Sequence, residues 1–129
     1  MAERTKKQIL IVDDDPNITN MLGTMFELYG FNVRMAHGTA QGMAAVTAEM
    51  PDVVLLDVMM PHLSGLELCR YVRRDPRTAK LPVIIFSALG NEEHVRAGLA
   101  AGATAYVKKT SSKDELMKAI ADALKPSTR

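Results

Sequence analysis

The stretch Ile9-Leu10-Ile11-Val12-Asp13-Asp14-Asp15-Pro16 joins four apolar residues to three acids and ends on a proline. A second stretch, Val53-Val54-Leu55-Leu56-Asp57, also runs from apolar residues to a carboxylate. Unbroken apolar runs of this length are typical of strands that are covered on both faces. Carboxylates repel one another at close range, so a cluster of them at one sheet edge needs a cation or a proton nearby. The two stretches therefore predict buried strands that end in an acidic site.

The remainder of the chain alternates short apolar runs with amphipathic stretches that carry helix start and stop signals. Asp15-Pro16 begins the first helix, and the capping-box patterns Ser64 to Glu67 and Ser112 to Glu115 begin the third and the fifth. The predicted strands are 8–12, 32–36, 53–57, 82–87 and 104–108, and the predicted helices are 16–29, about 39–50, about 64–75, 92–101 and 112–124. This alternation predicts an α/β fold, a parallel sheet with helices on both faces. All strands of such a sheet end at one edge, where ligands bind.

Composition narrows the classes of function. A chain of 129 residues with 47% hydrophobic and 24% charged residues is typical of one globular domain. The formal net charge of +1 gives no argument for a nucleic-acid or membrane partner. The single Cys69 excludes an internal disulfide and fits the reducing cytoplasm, and we expect a cytoplasmic protein. We find no apolar stretch long enough to span a bilayer.

The chemistry-bearing residues fall at the ends of separate predicted strands: Asp13, Asp14, Asp57, Ser87, and Lys108 or Lys109. Taken singly, each has an ordinary explanation as a helix cap, a turn residue or an exposed lysine. Together they suit metal-assisted phosphoryl transfer. Oxygen ligands beside an open edge suit Mg²⁺, a carboxylate can take a phosphoryl group, and a hydroxyl and an ammonium can bind its oxygens.

These residues resemble the pattern of the receiver domain of two-component response regulators over about residues 7–124 of the chain. The resemblance implies one receiver domain over residues 1–129, with the flavodoxin-like strand order 2-1-3-4-5 and five flanking helices. Four blocks carry it in order: Ile9 to Pro16, Leu55 to Pro61 with Ser64-Gly65 after it, Pro82 to Ala88, and Gly102 to Lys109.

The resemblance also implies residue roles. Asp57 would accept a phosphoryl group from a sensor histidine kinase or a phosphotransfer protein. Asp14 and Asp57 would bind Mg²⁺ directly, Asp13 through water, and Met59 through its backbone carbonyl. Ser87 and Lys109 would bind the phosphoryl oxygens. Ser87 would also pull its loop inward, and Tyr106 would rotate into the space vacated.

That rotation would reshape the surface formed by the fourth helix, the fifth strand and the fifth helix. The domain would act as a signalling phosphoacceptor rather than an enzyme, assisting its own phosphorylation and dephosphorylation. Its target would be a downstream protein or an attached output domain. A phosphorylation-dependent homodimer is also allowed. Only five residues follow Leu124, so the chain is either a free-standing receiver or a domain of a longer regulator.

The loop after the last strand departs from the family pattern. The family usually has Lys-Pro there, often with a cis bond, whereas Lys109 is followed by Thr110. A cis bond before threonine costs about 3 kcal/mol, so we expect a trans bond or a rearranged loop. Alignment by Gly102-Ala103 and Tyr106 makes Lys109 the phosphate-binding lysine, with Lys108 as the alternative. Met59 and Leu89, two positions after Asp57 and Ser87, are apolar, and we expect slow self-dephosphorylation.

Two other classes deserve comparison. A phosphatase or phosphotransferase of the haloacid dehalogenase type would use Asp13 as nucleophile, and Asp13-x-Asp15 matches the two acids of its motif. Asn17 stands where that motif has threonine or valine, and the chain has no room for a cap domain. A flavin-binding domain of similar topology would need a Ser/Thr/Gly-rich loop after the first strand, and Asp13-Asp14-Asp15 stands there instead.

Overall fold

The computed structural model describes residues 6–58 and 65–125. Five strands alternate with five helices along this part of the chain. They are β1 Gln8–Val12, α1 Pro16–Leu28, β2 Asn32–Ala36, α2 Thr39–Ala48, β3 Val53–Leu56, α3 Gly65–Arg74, β4 Val83–Ser87, α4 Glu92–Ala100, β5 Ala105–Lys108 and α5 Lys113–Leu124. The predicted strand and helix order is confirmed. Among the described residues, no helix has both the length and the apolar character needed to cross a membrane.

The five strands form one parallel sheet in the order β2-β1-β3-β4-β5, as predicted. The register pairs Val12 with both Ala36 and Leu56, and Leu56 with Ile85. Because β1 and β3 end at paired residues, the residues that follow them lie next to each other. This register is what brings the acidic residues from separate parts of the sequence to one edge.

Apolar side chains from the two sheet faces form two cores. Alternate strand residues such as Leu10 and Leu56 belong to a cluster with α2 and α3, and their neighbours Ile9 and Leu55 belong to a cluster with α1 and α5. The residues of β3 are all buried, which explains the unbroken apolar run that predicted the strand. β2 is the exception, because it lies at the sheet edge and is mostly exposed or half-buried.

Local signals account for the helix ends. The Asp15 side chain accepts a hydrogen bond from the Asn17 backbone N–H, and Ser112 and Glu115 form the predicted capping box. Ser64 of the other capping-box pattern lies outside the described residues. α2 ends at Ala48, two residues before the predicted end, and Glu49 is already extended. The residue before a proline disfavours helical backbone, which fits this early end ahead of Pro51.

Candidate functional site

The sheet ladder holds two of the acids in place through their backbones. The Asp13 N–H donates to the Ala36 carbonyl at 3.1 Å, and the Asp57 N–H donates to the Val12 carbonyl at 2.9 Å. Both residues follow the last paired residue of their strand, so their side chains begin where the apolar core ends. β3 ends at Leu56, one residue before its predicted end, so Asp57 is the first residue after the strand rather than its last.

Asp13, Asp14 and Asp57 each offer a carboxylate oxygen within 4.8 Å of the others. Asp13 is 4% exposed and Asp57 is 7% exposed, whereas Asp14 is exposed to solvent. Three carboxylates this close, two of them buried, carry a concentrated negative charge that favours a bound cation. The donors are all oxygens and one side is open to water, which suits Mg²⁺ because that ion keeps several waters. The residues present therefore fit the metal that the sequence implied.

Lys109 supplies the positive charge in this cluster. Its Nζ donates to Asp13 Oδ2 at 3.2 Å and to Asp57 Oδ2 at 3.4 Å. Partial burial alone would lower the pKa of Lys109, but the charges of Asp57 and Asp13 and the hydrogen bonds to both carboxylates raise it above its ordinary value. The lysine therefore stays protonated and offsets part of the repulsion between the two buried acids.

The backbone selects Lys109 over Lys108 for this contact. Ser87 pairs with Lys108 in the sheet, and the Lys109 N–H donates to the Ser87 carbonyl at 2.8 Å. The Lys108 side chain lies over Gly90 instead, where an added Cβ would come within 2.8 Å of its Cδ. Residues 6–58 and 65–125 contain no cis peptide bond, so the Lys109-Thr110 bond is trans, in line with the expectation from Thr110.

Ser87 and Tyr106 meet through one residue of the loop after β4. The Ser87 side chain is fully buried, and its Oγ accepts a hydrogen bond from the Leu89 N–H at 3.1 Å. The Tyr106 hydroxyl donates to the Leu89 carbonyl. Both backbone polar groups of Leu89 thus form hydrogen bonds, one with each of the two residues to which the resemblance gives a switch role. Sequence reasoning missed this bridge because backbone groups leave no signature in side-chain identity.

A second contact that sequence reasoning missed involves Gly65. A Cβ added there would lie 2.6 Å from the Asp57 carbonyl oxygen and 2.7 Å from Val58 Cα. The start of α3 therefore closes directly against the backbone that carries Asp57, and only a residue without a side chain fits. The glycine at the start of the predicted third helix was the available signal. Met59, which the resemblance gave as a metal ligand, lies outside the described residues.

Comparison with known proteins agrees with this geometry. The family model of the response regulator receiver domain matches residues 9–121. The phosphate regulon transcriptional regulatory protein PhoB of Pseudomonas aeruginosa is 40% identical over 111 residues, which are 86% of this chain and 48% of that protein. The DNA-binding dual master transcriptional regulator RpaA of Synechocystis is 36% identical over 110 residues, 85% of this chain and 46% of that protein. The chain thus spans about half the length of these relatives.

Solved structures give the same result. A putative response regulator from Chloroflexus aurantiacus superposes with a TM-score of 0.88 at 32% identity, covering 93% of this chain and 98% of that chain. The BeF3-activated N-terminal receiver domain of RstA from Klebsiella pneumoniae superposes with a TM-score of 0.85 at 25% identity, covering 92% of this chain and 99% of that chain. These matches give the haloacid dehalogenase alternative no support, and the Asp15 carboxylate it would use caps α1.

Proposed function

This chain belongs to the response regulator receiver domain family, and from that premise we propose that Asp57 accepts a phosphoryl group from a sensor histidine kinase or a phosphotransfer protein. An Asp57 carboxylate oxygen attacks the phosphorus of a phosphohistidine. The nitrogen–phosphorus bond breaks, its electron pair stays on the imidazole nitrogen, and an acyl phosphate forms on Asp57. The observation that carries this proposal is the Lys109 ammonium bound to both Asp13 and Asp57 at the carboxyl edge of the sheet.

Asp13, Asp14 and Asp57 would hold Mg²⁺, and Met59 is proposed to add its backbone carbonyl. The ion, when bound, neutralises charge on the oxygens of the phosphoryl group. Asp13 and Asp14 remain as carboxylates after Asp57 is modified, so they would still be able to hold the cation. Three carboxylates are suitable ligands for a hard cation that prefers oxygen donors, which supports this assignment.

Lys109 and Ser87 act on the phosphoryl group from the protein side. The Lys109 side chain is 26% exposed, and its ammonium already lies 3.4 Å from an Asp57 oxygen, so it reaches a phosphoryl oxygen on that residue with a small movement. Ser87 Oγ accepts from Leu89, which leaves its own hydrogen to donate to a second phosphoryl oxygen. Any shift of Ser87 toward the phosphoryl group moves the Leu89 backbone and hence Tyr106.

The output is proposed to pass through the surface formed by α4, β5 and α5. The domain is a signalling phosphoacceptor that assists its own phosphorylation and dephosphorylation. We place it in the cytoplasm, because the single Cys69 has no second cysteine to pair with. Two of its relatives are named as transcriptional regulators and are about twice as long, which favours an attached output domain or a downstream protein partner. A phosphorylation-dependent homodimer through the same surface is a further proposed state.

The phosphorylated state is proposed to be long-lived. Leu89 is half-buried and apolar, and Met59 stands at the corresponding position after Asp57. Neither side chain can orient an attacking water by hydrogen bonding. Replacing Met59 with asparagine and Leu89 with glutamate should speed loss of the phosphoryl group. Intact mass recorded over time measures this loss. An unchanged lifetime would contradict this part of the proposal.

The decisive experiment measures intact mass after incubation with acetyl phosphate, with and without Mg²⁺. Wild type should gain one phosphoryl group only with the metal, and Asp57→Asn should gain none. Asp15→Asn is the matched control, because asparagine caps a helix as well as aspartate does. It should be modified like wild type. No addition to wild type, or equal addition to Asp57→Asn, would refute Asp57 as the acceptor.

A further inference from the structure

α4 is held lightly against the sheet. In the described part of the chain, Gly98 is its buried residue, while Leu99 is 46% exposed and Val95 is half-buried. The two ends of the helix are fixed by other contacts. Asn91 caps the first turn, and the Arg73 guanidinium donates to the Gly102 carbonyl at 2.9 Å just beyond the last turn. The last turn of α4 therefore contacts the sheet at a glycine.

Gly98 faces two side chains of the sheet at very short range. A Cβ added there would lie 2.7 Å from Ile85 Cδ1, 2.8 Å from Tyr106 Cδ2 and 3.1 Å from Tyr106 Cε2. Contacts under about 3 Å are not tolerated in a close-packed interior, so one of the partners must move. Ile85 is fully buried between neighbouring strands, whereas Tyr106 is half-buried and faces the loop after β4. The Ile85 Cδ1 methyl can turn aside by a change of side-chain rotamer, whereas the rigid Tyr106 ring must shift as a whole.

The Tyr106 ring continues this contact toward the acidic site. Its hydroxyl donates to the Leu89 carbonyl, and the Leu89 N–H donates to Ser87 Oγ. A continuous set of contacts thus runs from the Gly98 backbone through the ring and one peptide unit to the Ser87 hydroxyl.

We propose that Gly98 is a positioning residue that seats the Tyr106 ring and, through Leu89, holds the Ser87 hydroxyl ready for the phosphoryl group. The absence of a Cβ lets the ring pack closely against α4 while its hydroxyl donates to the Leu89 carbonyl. This proposal rests on the proposed function, because its consequence is read at Asp57. Gly98 touches the ring that phosphorylation is proposed to move, so a substitution at Gly98 that displaces the ring should change the phosphorylation of Asp57.

Gly98→Ala should slow phosphorylation of Asp57 by acetyl phosphate by roughly 2- to 30-fold, the range found for changes along coupled contacts. Alanine favours a helix over glycine, so the same change should not unfold α4. Gly38→Ala is the matched control. A Cβ at Gly38 meets nothing within 4 Å and its φ of 172° is extended backbone, so its phosphorylation rate should equal that of wild type.

A double-mutant comparison separates seating of the ring from a general effect on the helix. Tyr106→Ala removes the ring that the new Cβ would strike, so Gly98→Ala should cause no further slowing in that background. An equal slowing in both backgrounds would overturn the proposal.

Fluorine NMR of protein labelled with 3-fluorotyrosine reads the contact without any phosphorylation. The chain has three tyrosines, and the Tyr106 resonance is assigned with Tyr106→Phe. Gly98→Ala should shift this resonance and leave the other two in place. An unchanged Tyr106 resonance would overturn the proposed contact. Failure of wild type to take a phosphoryl group would instead overturn the proposed function, and the coupling with it.

Discussion

Replacing Asp14 with asparagine should stabilise the metal-free protein. Asp14 lies with Asp13 and Asp57 in a cluster whose carboxylate oxygens are within 4.8 Å of one another. Lys109 binds Asp13 and Asp57, so the charge of Asp14 can be removed without breaking either of these ion pairs. The substitution keeps the size and shape of the side chain. It therefore isolates the electrostatic repulsion.

The distance sets the size of the effect. Two unit charges 4.8 Å apart repel by about 0.9 kcal/mol at a dielectric constant near 80 and by about 3.5 kcal/mol near 20. Asp14 is exposed, so the lower value applies to each of its two acidic neighbours. Attraction to Lys109 offsets part of this sum. The free energy of unfolding should therefore rise by about 1 kcal/mol.

The assay is urea unfolding followed by far-ultraviolet circular dichroism, first with a chelator and then with millimolar Mg²⁺. A ligand that binds only the folded state stabilises it in proportion to the logarithm of its concentration over Kd. Wild type should gain stability with Mg²⁺, and Asp14→Asn should gain much less. When the metal is added, the free energies of unfolding of the two proteins should become equal, or wild type should become the more stable one.

Asp15→Asn is the control, since it neutralises the adjacent acid while it preserves the helix cap. It should respond to Mg²⁺ as wild type does. The reasoning is refuted if Asp14→Asn is less stable than wild type in the chelator, or if Mg²⁺ stabilises both proteins equally.

Three further predictions concern the scaffold. Burial raises the pKa of the Cys69 thiol to about 11, so the thiol ionises more readily in the unfolded chain than in the folded protein. The urea midpoint of wild type should therefore fall as pH rises from about 8.5 toward 11, and Cys69→Ala should lack this decline. Phe26 is fully buried and packs edge-on against the Phe31 ring, with 5.6 Å between the two ring centroids. Phe26→Ala should therefore lower the free energy of unfolding by about 3–5 kcal/mol in urea titrations. Arg73→Met removes donors from the Leu81 and Gly102 carbonyls, and amide exchange after α4 should accelerate, whereas unchanged exchange would contradict a clamping role.

Most of the fold could be predicted because its signals are local. The apolar run 9–12 predicted β1, and Asp15-Pro16 predicted the start of α1, since both depend on residues close in sequence. The errors in the predicted strands and helices were confined to their ends. β3 ends at Leu56, the last residue paired with a neighbouring strand, rather than at Asp57, and α2 ends at Ala48 rather than near residue 50.

The cluster of acids could also be expected from the sequence, since strands of a parallel sheet end at one edge. The contacts within the site could not. Leu89 joins Ser87 to Tyr106 only through its backbone groups, which are the same in every residue except proline. Gly65 and Gly98 matter because atoms of other elements leave no room for a Cβ, the backbone after β3 at Gly65 and the sheet side chains at Gly98.

The sequence by itself determined the element order, a sheet with helices on both faces, and the kind of residue that each strand presents at the site. Periodicity and capping act over a few residues, so they are readable along the chain. The residues alone left Lys108 and Lys109 open and the resemblance favoured Lys109, but the tertiary structure decided that Lys109 is the one that meets the acids. The pairing of Ser87 with Lys108 sends the Lys108 side chain over Gly90, and the next residue, Lys109, reaches Asp13 and Asp57. Strand register decides this choice, because a shift of one residue sends a side chain to the other face of the sheet.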